Sequence, residues 1–459
     1  MLTIAPEMLA AATGGRLLQL GERAITAGLT TDSRALQAGC IFLALVGERF
    51  NGNSFAVQAA QQGAAALVLS EEPEGVDKDC SIILVDDTLA ALQQLATWWR
   101  GQLGDITVVG LTGSCGKTST KDMLAAILSQ SMSSQATLGN LNNHIGVPLS
   151  ILRAEQGLQA AIWEMGMNHA GEIAPLCAMT QPHIGIITNV GSAHIEYLGT
   201  RQAIAEEKCA LARALPLDGA LIYPASDDFA DYIPTQTRAQ CIAVGGTDSP
   251  VRAENIQCHS KGSDFTLRII GMGEIAIQLP VAGEHMVTNS LLAAAAASYT
   301  GCSLQDIAAG LATLAITKGR LSIQEVQGIT LVDDSYNANL ESMKAALKTV
   351  ADIPCKGQRY AILGKMGELG EFALQAHREL GEQLNGMPYA ALLTVGEDCP
   401  ELQALNAAVT SMPSLHAESH ELAAELLRDR IVTGDIILFK GSRSAHMERS
   451  MHALFPATK

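Results

Sequence analysis

Residues 106–130, ITVVGLTGSCGKTSTKDMLAAILSQ, determine the fold that we expect for this chain of 459 residues. The stretch begins with a β-branched apolar run at residues 106–109, which is typical of a buried strand in a parallel sheet. A glycine-containing turn follows, and apolar residues then recur at helical spacing on one face between Met123 and Leu128. A strand, a glycine turn and a helix in this order predict a phosphate-binding loop.

The turn itself carries the groups that such a loop needs. Gly113 and Gly116 allow backbone N–H groups to curve around an anion, and the helix N-terminus adds its positive end. Lys117 supplies a mobile positive charge, and the Thr118 hydroxyl lies where a nucleotide-bound Mg²⁺ requires an oxygen ligand. Leu111 stands where the strict P-loop pattern has glycine, so an ordinary turn is the alternative. The adjacency of Gly116, Lys117 and Thr118 favours the nucleotide site.

Composition limits the classes of protein that the chain can belong to. Its length predicts two to four domains, and 48% hydrophobic with 17% charged residues suits buried α/β cores. A formal net charge of −17 argues against a nucleic-acid partner, because phosphate backbones require clustered Lys and Arg. The ten cysteines are scattered without a CxxC pair, which favours reduced thiols over disulfides or a zinc site.

The N-terminal segment has neither a basic region nor a long apolar core, so we expect no signal peptide. The apolar run at residues 291–297 is too short to span a bilayer. These features predict a cytoplasmic protein that does not bind a membrane.

The chain order predicts an α/β fold with three domains. Residues 1–85 form a small N-terminal α/β domain, residues 86–315 a central P-loop domain with a doubly wound, mostly parallel sheet, and residues 316–459 a C-terminal Rossmann-like domain. A less regular, more β-like insert is expected between residues 226 and 280. The principal strands are predicted at residues 160–164, 184–190, 220–223, 329–333, 360–363, 391–395 and 436–440.

Polar residues follow the central strands where a doubly wound sheet binds ligands. Glu164 ends its strand and, together with Thr118, could ligate Mg²⁺; an exposed carboxylate is the alternative. His194 follows the next strand and could join a second metal, although a lone loop histidine is more often solvated. Lys208 follows two glutamates in a helix, and read by itself it is a surface lysine paired with acids.

Two further segments are candidates for substrate contacts. The side-chain amides of Asn140, Asn142 and Asn143 could orient a carboxylate or a peptide, and a hydrogen-bonded turn is an equal alternative. In the segment of Asp32, Ser33 and Arg34, the arginine could hold a phosphate and its neighbours a sugar or a base. The alternative for this segment is a turn with a surface arginine.

Taken together, these stretches resemble the Mur ligase family over nearly the whole chain. The family's ATP loop is similar to Thr112 and the residues that we assign to the nucleotide: Gly113, Ser114, Cys115, Gly116, Lys117, Thr118 and Ser119. Its other elements occur in order at residues 164–166, 189–194, 208, 283–289 and 319–321. Within the family, residues 31–34, 139–148, 333–339, 368–370 and 440–443 are similar to members that add a D-alanyl-D-alanine dipeptide.

The resemblance implies roles for the residues named above. Lys117, Glu164, His194 and Lys208 would be catalytic, and Thr118, Glu164, His194 and Lys208 would hold two Mg²⁺ ions, Lys208 after carbamylation by CO₂. Asn289, Arg320 and Asp334 would join the phosphate loop in binding ATP. The substrate residues would be Asp32, Ser33, Arg34, Asn140, Asn142, Asn143, Tyr336, Asn337 and Asn339.

The implied activity is ATP-dependent ligation of D-alanyl-D-alanine to UDP-N-acetylmuramoyl-tripeptide through an acyl phosphate, by a monomer. One alternative is another ligase of the superfamily, such as a diaminopimelate- or lysine-adding enzyme or a folylpolyglutamate synthase. Another is an ATP-gated binding protein without catalytic activity. The amine that drives ATP turnover distinguishes these possibilities.

Overall fold

The computed structural model describes residues 2–315 and 317–456. Three main sheets with helices packed on their faces make up this part of the chain. The predicted α/β class, with a small N-terminal, a doubly wound central and a Rossmann-like C-terminal part, is confirmed. The domain limits stay predictions. The limit between residues 315 and 316 involves residue 316, and the C-terminal limit at residue 459 lies within 457–459; these residues are outside the described ranges.

The N-terminal sheet has five strands. They are β1 (Arg16–Gln19), β2 (Leu29–Thr30), β3 (Ile41–Leu43), β6 (Ala66–Leu69) and β7 (Ser81–Leu84), and a separate hairpin is formed by β4 (Val46–Gly47) and β5 (Phe50–Asn51). The helices are α1 (Pro6–Ala12), α2 (Ala56–Gln61) and α3 (Thr88–Gln102). The strand order is β1-β7-β6-β3-β2, with only β1 antiparallel to its neighbour. Helix α3 begins after Asp87, whose carboxylate accepts from the N–H groups of Leu89 and Ala90.

The central sheet has nine strands. They are β8 (Thr107–Thr112), β9 (Ser134–Ala136), β10 (Ala160–Glu164), β11 (Ile184–Ile187), β12 (Ala220–Pro224), β13 (Gln240–Val244), β14 (Val251–His259), β15 (Gly262–Ile269) and β16 (Gly273–Leu279). Its helices are α4 (Lys117–Leu128), α5 (Gly146–Leu152), α6 (Ile173–Thr180), α7 (Ile195–Leu198), α8 (Arg201–Arg213), α9 (Glu284–Tyr299) and α10 (Leu304–Ala312). The order β16-β15-β14-β13-β12-β11-β8-β10-β9 places the predicted β-rich insert at one end of this same sheet, where β14, β15 and β16 are antiparallel.

The topology places a ligand site at the end of β8. This strand pairs in parallel with β10 on one side and β11 on the other, so the chain reverses its winding direction there. Ligands of doubly wound sheets bind beyond the carboxyl ends of the strands at such a point. Residues 293–297, all alanine and fully buried, lie in α9, which packs against α4 behind the loop.

The C-terminal sheet has six strands. They are β17 (Ser322–Val326), β18 (Ile329–Asp334), β19 (Arg359–Gly364), β20 (Ala391–Val395), β21 (Ser414–Ala417) and β22 (Ile436–Lys440). Its helices are α11 (Leu340–Asp352), α12 (Ala373–Leu384), α13 (Pro400–Ala408), α14 (His420–Arg428) and α15 (Glu448–Leu454). In the order β17-β18-β22-β19-β20-β21 all neighbours are parallel except β17 and β18.

Two features of the described chain bear on its surroundings. Each of the ten cysteines lies in the described ranges and is free, as their spacing predicts. No helix within these ranges combines the length and the apolar character that crossing a membrane requires.

Candidate active site

The phosphate loop connects β8 to α4 and has the backbone that the sequence predicts. Gly116 precedes the helix with a φ of 77°, in the left-handed region that favours glycine. A Cβ at Gly116 would lie 2.6 Å from the side-chain oxygen of Asn289, and one at Gly113 would collide with the Thr188 hydroxyl. Both glycines are therefore required by close packing, and Asn289 lies against the loop as predicted.

Lys117 points back over the loop. Its Nζ donates a hydrogen bond of 2.6 Å to the carbonyl oxygen of Gly113. Desolvation lowers the pKa of Lys117 from its ordinary value, and the neighbouring Glu164 partly opposes that shift. A half-buried cation with a single carbonyl partner is suited to bind a phosphate oxygen.

Side chains that follow β11 hold the loop in shape. The Asn189 side-chain oxygen accepts from the backbone N–H groups of Ser114 (3.0 Å) and Cys115 (2.8 Å), and the Thr188 hydroxyl donates to the carbonyl oxygen of Cys115. The sequence predicts a strand through residue 190, but β11 ends at Ile187. The strand is shorter than predicted because Asn189 hydrogen-bonds to the phosphate loop instead of continuing the β-ladder.

Glu164 is the last residue of β10 and is only 1% exposed. Its Oε1 accepts from the side-chain amide of Asn142 at 2.8 Å, whereas its Oε2 is buried and has no hydrogen-bond partner among the described residues. The alternative of an exposed carboxylate is therefore wrong. A buried carboxylate oxygen without a partner fits a cation ligand, and the buried Thr118 lies on the same cleft.

His194 approaches the C-terminal part of the chain. It has a left-handed φ of 64°, and its Nδ1 lies 2.7 Å from a carboxylate oxygen of Glu368, which also has a positive φ of 58°. Within the described residues Nδ1 has no hydrogen-bond partner of acceptable geometry, so the structure shows a close approach of the two side chains. The neighbouring His194 lowers the pKa of the Glu368 carboxyl.

Lys208 is buried in α8, so the alternative of a surface lysine is wrong. The side chain is 1% exposed, and within the described residues its Nζ has no hydrogen bond or ion pair. Burial lowers its pKa well below the ordinary value, and the nearby Lys117 lowers it further. The preceding Glu207 accepts instead from the backbone N–H groups of Gly171 and Ile173.

The opposite wall of the cleft comes from the C-terminal part. The Arg320 guanidinium lies 4.2 Å from the ring centre of Tyr336, and no group in the described ranges hydrogen-bonds to its buried Nε. Asp334 is paired with the buried Lys440 at 2.5 Å and accepts from the backbone N–H of Leu321. This wall therefore presents one arginine with unused donor capacity beside an internally paired carboxylate.

Direct contacts join the two walls. The Cys115 thiol donates to the side-chain oxygen of Asn339 at 3.0 Å, and Glu341 accepts from both the backbone N–H and the hydroxyl of Ser192. The phosphate loop thus touches the N-terminus of α11, as expected if both parts contribute to one site.

The cleft between these walls has a volume of about 660 Å³ and gathers most of the predicted residues. It is lined by Ser114, Cys115, Gly116, Lys117, Thr118, Ser119, Asn140, Asn142, Asn143, Glu164, His194, Asn289, Arg320, Asp334, Tyr336, Asn337 and Asn339. Gly113 and Lys208 are not among the residues that line it. Within the described ranges, no group of three His, Cys, Asp or Glu side chains is arranged to hold a metal.

Asp32, Ser33 and Arg34 do not line the cleft. Arg34 donates to both carboxylate oxygens of Asp32 at 2.9 Å, and this hydrogen bonding lowers the pKa of Asp32 to about 2. The pair lies in the N-terminal part of the chain and Arg34 is exposed, so these residues lie apart from the phosphate loop.

Several polar residues of the site are not predicted from the sequence, and four of them make contacts between distant parts of the chain. Asn189, Glu368 and Lys440 lie in segments that carry the family resemblance and Glu341 lies just after one, but the partners of all four are distant in sequence. Only the folded chain brings these groups to the phosphate loop and to His194.

His285 in the cleft wall provides a pH-dependent prediction. Burial lowers its pKa from 6.5 to about 4, and Asp334 opposes the shift. Between these values the unfolded chain binds the extra proton, so stability falls as the pH decreases from 6.5 to 4. One proton changes the unfolding free energy by at most about 1.4 kcal/mol per pH unit, and the partial exposure of the ring reduces this slope.

We expect His285→Gln to flatten this acid dependence in urea unfolding measured from pH 7 to 4. His144→Gln, on an exposed loop, is the control and should keep the wild-type slope. An unchanged slope in His285→Gln would show that this ring is not held neutral by the fold.

Comparisons with known proteins agree with this architecture. Family models described as Mur ligase family catalytic domain, Mur ligase middle domain and Mur ligase glutamate ligase domain match residues 26–100, 111–297 and 319–443. The chain is 38% identical over 432 residues to UDP-N-acetylmuramoyl-tripeptide–D-alanyl-D-alanine ligase of Escherichia coli strain K12, with 93% of each chain covered.

Solved structures give the same result. A crystal structure of MurF from Acinetobacter baumannii superposes with a TM-score of 0.91 at 33% identity and 99% coverage of each chain. MurF from Thermotoga maritima in complex with ADP has a TM-score of 0.83 at 28% identity, covering 94% of this chain and 97% of that one. The three-part fold and its cleft define an ATP-dependent ligase that forms amide bonds. The chain belongs to the Mur ligase family.

Proposed function

We propose that this chain joins D-alanyl-D-alanine to UDP-N-acetylmuramoyl-tripeptide in the cytoplasmic stage of peptidoglycan synthesis, at the expense of ATP. The observation that carries the proposal is that Lys117 and Glu164 of the central part share one cleft with Arg320 of the C-terminal part. The extent of identity with relatives of that name supports the choice of substrates. We further propose that the chain acts as a monomer.

The chemistry explains why the cleft is cationic at the phosphate loop. A carboxylate is a poor electrophile, and ATP supplies the phosphoryl group that converts it to an acyl phosphate with release of ADP. The dipeptide amine then attacks the acyl carbon, inorganic phosphate leaves, and the amine loses a proton. Phosphoryl transfer depends on positioning and charge neutralisation more than on covalent help from the protein.

The chain's own residues would hold the reacting groups. Lys117 and free N–H groups of the loop would bind phosphate oxygens, with Ser119 and Asn289 beside them. Arg320, whose Nε is unused, would approach from the opposite wall while Asp334 fixes the adjacent backbone. Contact between the walls would exclude water from the reactive intermediate.

The donor set fits divalent cations. Thr118 and Glu164 would hold one Mg²⁺, and His194 with carbamylated Lys208 a second; the open Oε2 of Glu164 is the observation that supports this fit. Bound Mg²⁺ would neutralise negative charge on the phosphates. The lowered pKa of Lys208 favours its neutral amine, the form that attacks CO₂ and loses a proton to become a carbamate.

The remaining predicted residues would bind the substrates. Asp32, Ser33 and Arg34 would contact the uridine nucleotide in the N-terminal part. Asn140 and Asn143 would lie near the acceptor peptide. Tyr336, Asn337 and Asn339 would lie near the incoming dipeptide.

Phosphate release with matched acceptor and amine pairs tests this function. We expect turnover on the order of 1 to 10³ s⁻¹ with UDP-N-acetylmuramoyl-tripeptide only when D-alanyl-D-alanine is present. Turnover with diaminopimelate or lysine and the dipeptide precursor, or with glutamate and a folate, would assign the chain to another ligase of the family. Nucleotide binding without phosphate release in any pairing would indicate a binding protein.

A further inference from the structure

The side chain of Asn142 faces Glu164 instead of an open part of the cleft. Its Nδ2 donates to Glu164 Oε1 at 2.8 Å, and its backbone oxygen accepts from the N–H of Gly166 at 2.7 Å. A Cβ at Gly166 would lie 2.7 Å from Asn142 Oδ1, so the asparagine packs directly on the backbone that follows Glu164. Asn142 therefore contacts the chain on both sides of this carboxylate.

The segment that carries Asn142 is itself fixed. The Thr137 hydroxyl accepts from the backbone N–H of Glu164 at 3.0 Å. The buried ammonium of Lys121, which is 3% exposed, donates to the carbonyl oxygens of Thr137 (2.8 Å) and Gly139 (3.4 Å). These bonds connect the segment to α4 and β10, so Asn142 is not free to turn toward a substrate.

The two carboxylate oxygens of Glu164 therefore differ in their hydrogen bonding. Oε1 is occupied by Asn142, and Oε2 is buried without a partner. We propose that Asn142 is a positioning residue, which holds Glu164 so that Oε2 is presented to a divalent cation, and that it is not a contact for the acceptor peptide. This inference rests on the proposed function only in taking Glu164 as a metal ligand.

Residues that hydrogen-bond to a metal ligand have a measurable effect on the affinity of the protein for the metal. Their removal typically weakens metal binding by about 10- to 100-fold, because the ligand loses its fixed orientation. We therefore expect Asn142→Ala to weaken binding of Mn²⁺, a paramagnetic substitute for Mg²⁺, by about tenfold or more. The measurement is electron paramagnetic resonance of Mn²⁺ with the full chain and saturating adenosine 5′-(β,γ-imido)triphosphate.

A double-mutant cycle separates positioning from a general structural effect. Glu164→Gln should also weaken Mn²⁺ binding, and Asn142→Ala should add no further loss in the Glu164→Gln background. Damage to the fold would reduce binding in both backgrounds. Wild-type affinity in either single variant, or additive losses in the double variant, would overturn the proposal.

Asn140→Ala is the matched control in the same segment. Asn140 lines the cleft, but its side chain makes no hydrogen bond within the described residues. It should leave Mn²⁺ affinity unchanged, whereas a loss like that of Asn142→Ala would contradict a specific role for Asn142. The assay contains no acceptor peptide or amine, so its outcome is independent of which amine drives turnover.

Discussion

Replacing Lys117 by methionine is expected to lower kcat by at least about 10³-fold while leaving the protein folded. Removal of one preorganised donor that stabilises developing charge costs about 10² to 10³ in rate, and Lys117 would be such a donor in the proposed reaction. In the described part of the chain its Nζ makes one hydrogen bond, to the carbonyl of Gly113, so little stability depends on it. The melting temperature should stay within about 2–4 °C of the wild type, the change expected for 1 kcal/mol.

Lys121→Met is the matched control on the same helix. Lys121 donates to two carbonyl oxygens, and its loss leaves these acceptors without their partner at a cost of about 1–3 kcal/mol. The control should therefore lower the melting temperature more than Lys117→Met and lower kcat less. Steady-state phosphate release and thermal unfolding measure both effects, and near-normal kcat in Lys117→Met would remove this lysine from phosphate binding.

Replacing Lys208 by alanine should cause a loss of activity that an added small carboxylate partly restores. We expect Lys208→Ala to lower kcat by about 10² to 10³-fold, because the variant cannot form the proposed carbamate, whose negative charge would help to hold a metal ion. The alanine variant leaves space in a fully buried position, so acetate or propionate should recover part of the activity. Phosphate release in CO₂-depleted buffer, with and without added bicarbonate, provides a second measurement on the unchanged protein.

Lys208→Met is the control for this rescue. Methionine fills the space of the lysine stem, so the carboxylate should have no effect, while the melting temperature stays near that of the wild type. The native ammonium has no partner in the described structure and lies in a desolvated position, so its loss removes no favourable contact. Full activity in Lys208→Met would show that no carbamate is needed.

Short-range patterns account for the parts of the site that the sequence predicts correctly. Gly116, Lys117 and Thr118 are adjacent in the chain, and one turn of backbone suffices to bring their groups together. Asp87 marks the start of a helix for the same reason, since a cap needs only its own next three residues. The sequence predicts that Glu164 lies at the ligand site because this residue ends an apolar strand, and ligands of doubly wound sheets bind at the carboxyl ends of the strands.

Partners distant in sequence account for the errors. The predicted strand at residues 184–190 is too long because Asn189 bonds to amides 74 and 75 residues away. Lys208 resembles a surface lysine because its neighbours are charged, and its burial follows from how α8 packs. The hydrogen bond between Asn142 and Glu164 is likewise not visible in the sequence, because Glu164 is 22 residues away on another element.

The sequence by itself determined the α/β class, the phosphate loop and the family, since these depend on periodicity and on residues close in the chain. The tertiary structure alone decided which oxygen of Glu164 is open, that Glu368 meets His194, and that Lys208 is buried. The physical reason is that hydrogen bonding and desolvation depend on every group within a few ångströms, and those groups come from several distant segments of the chain.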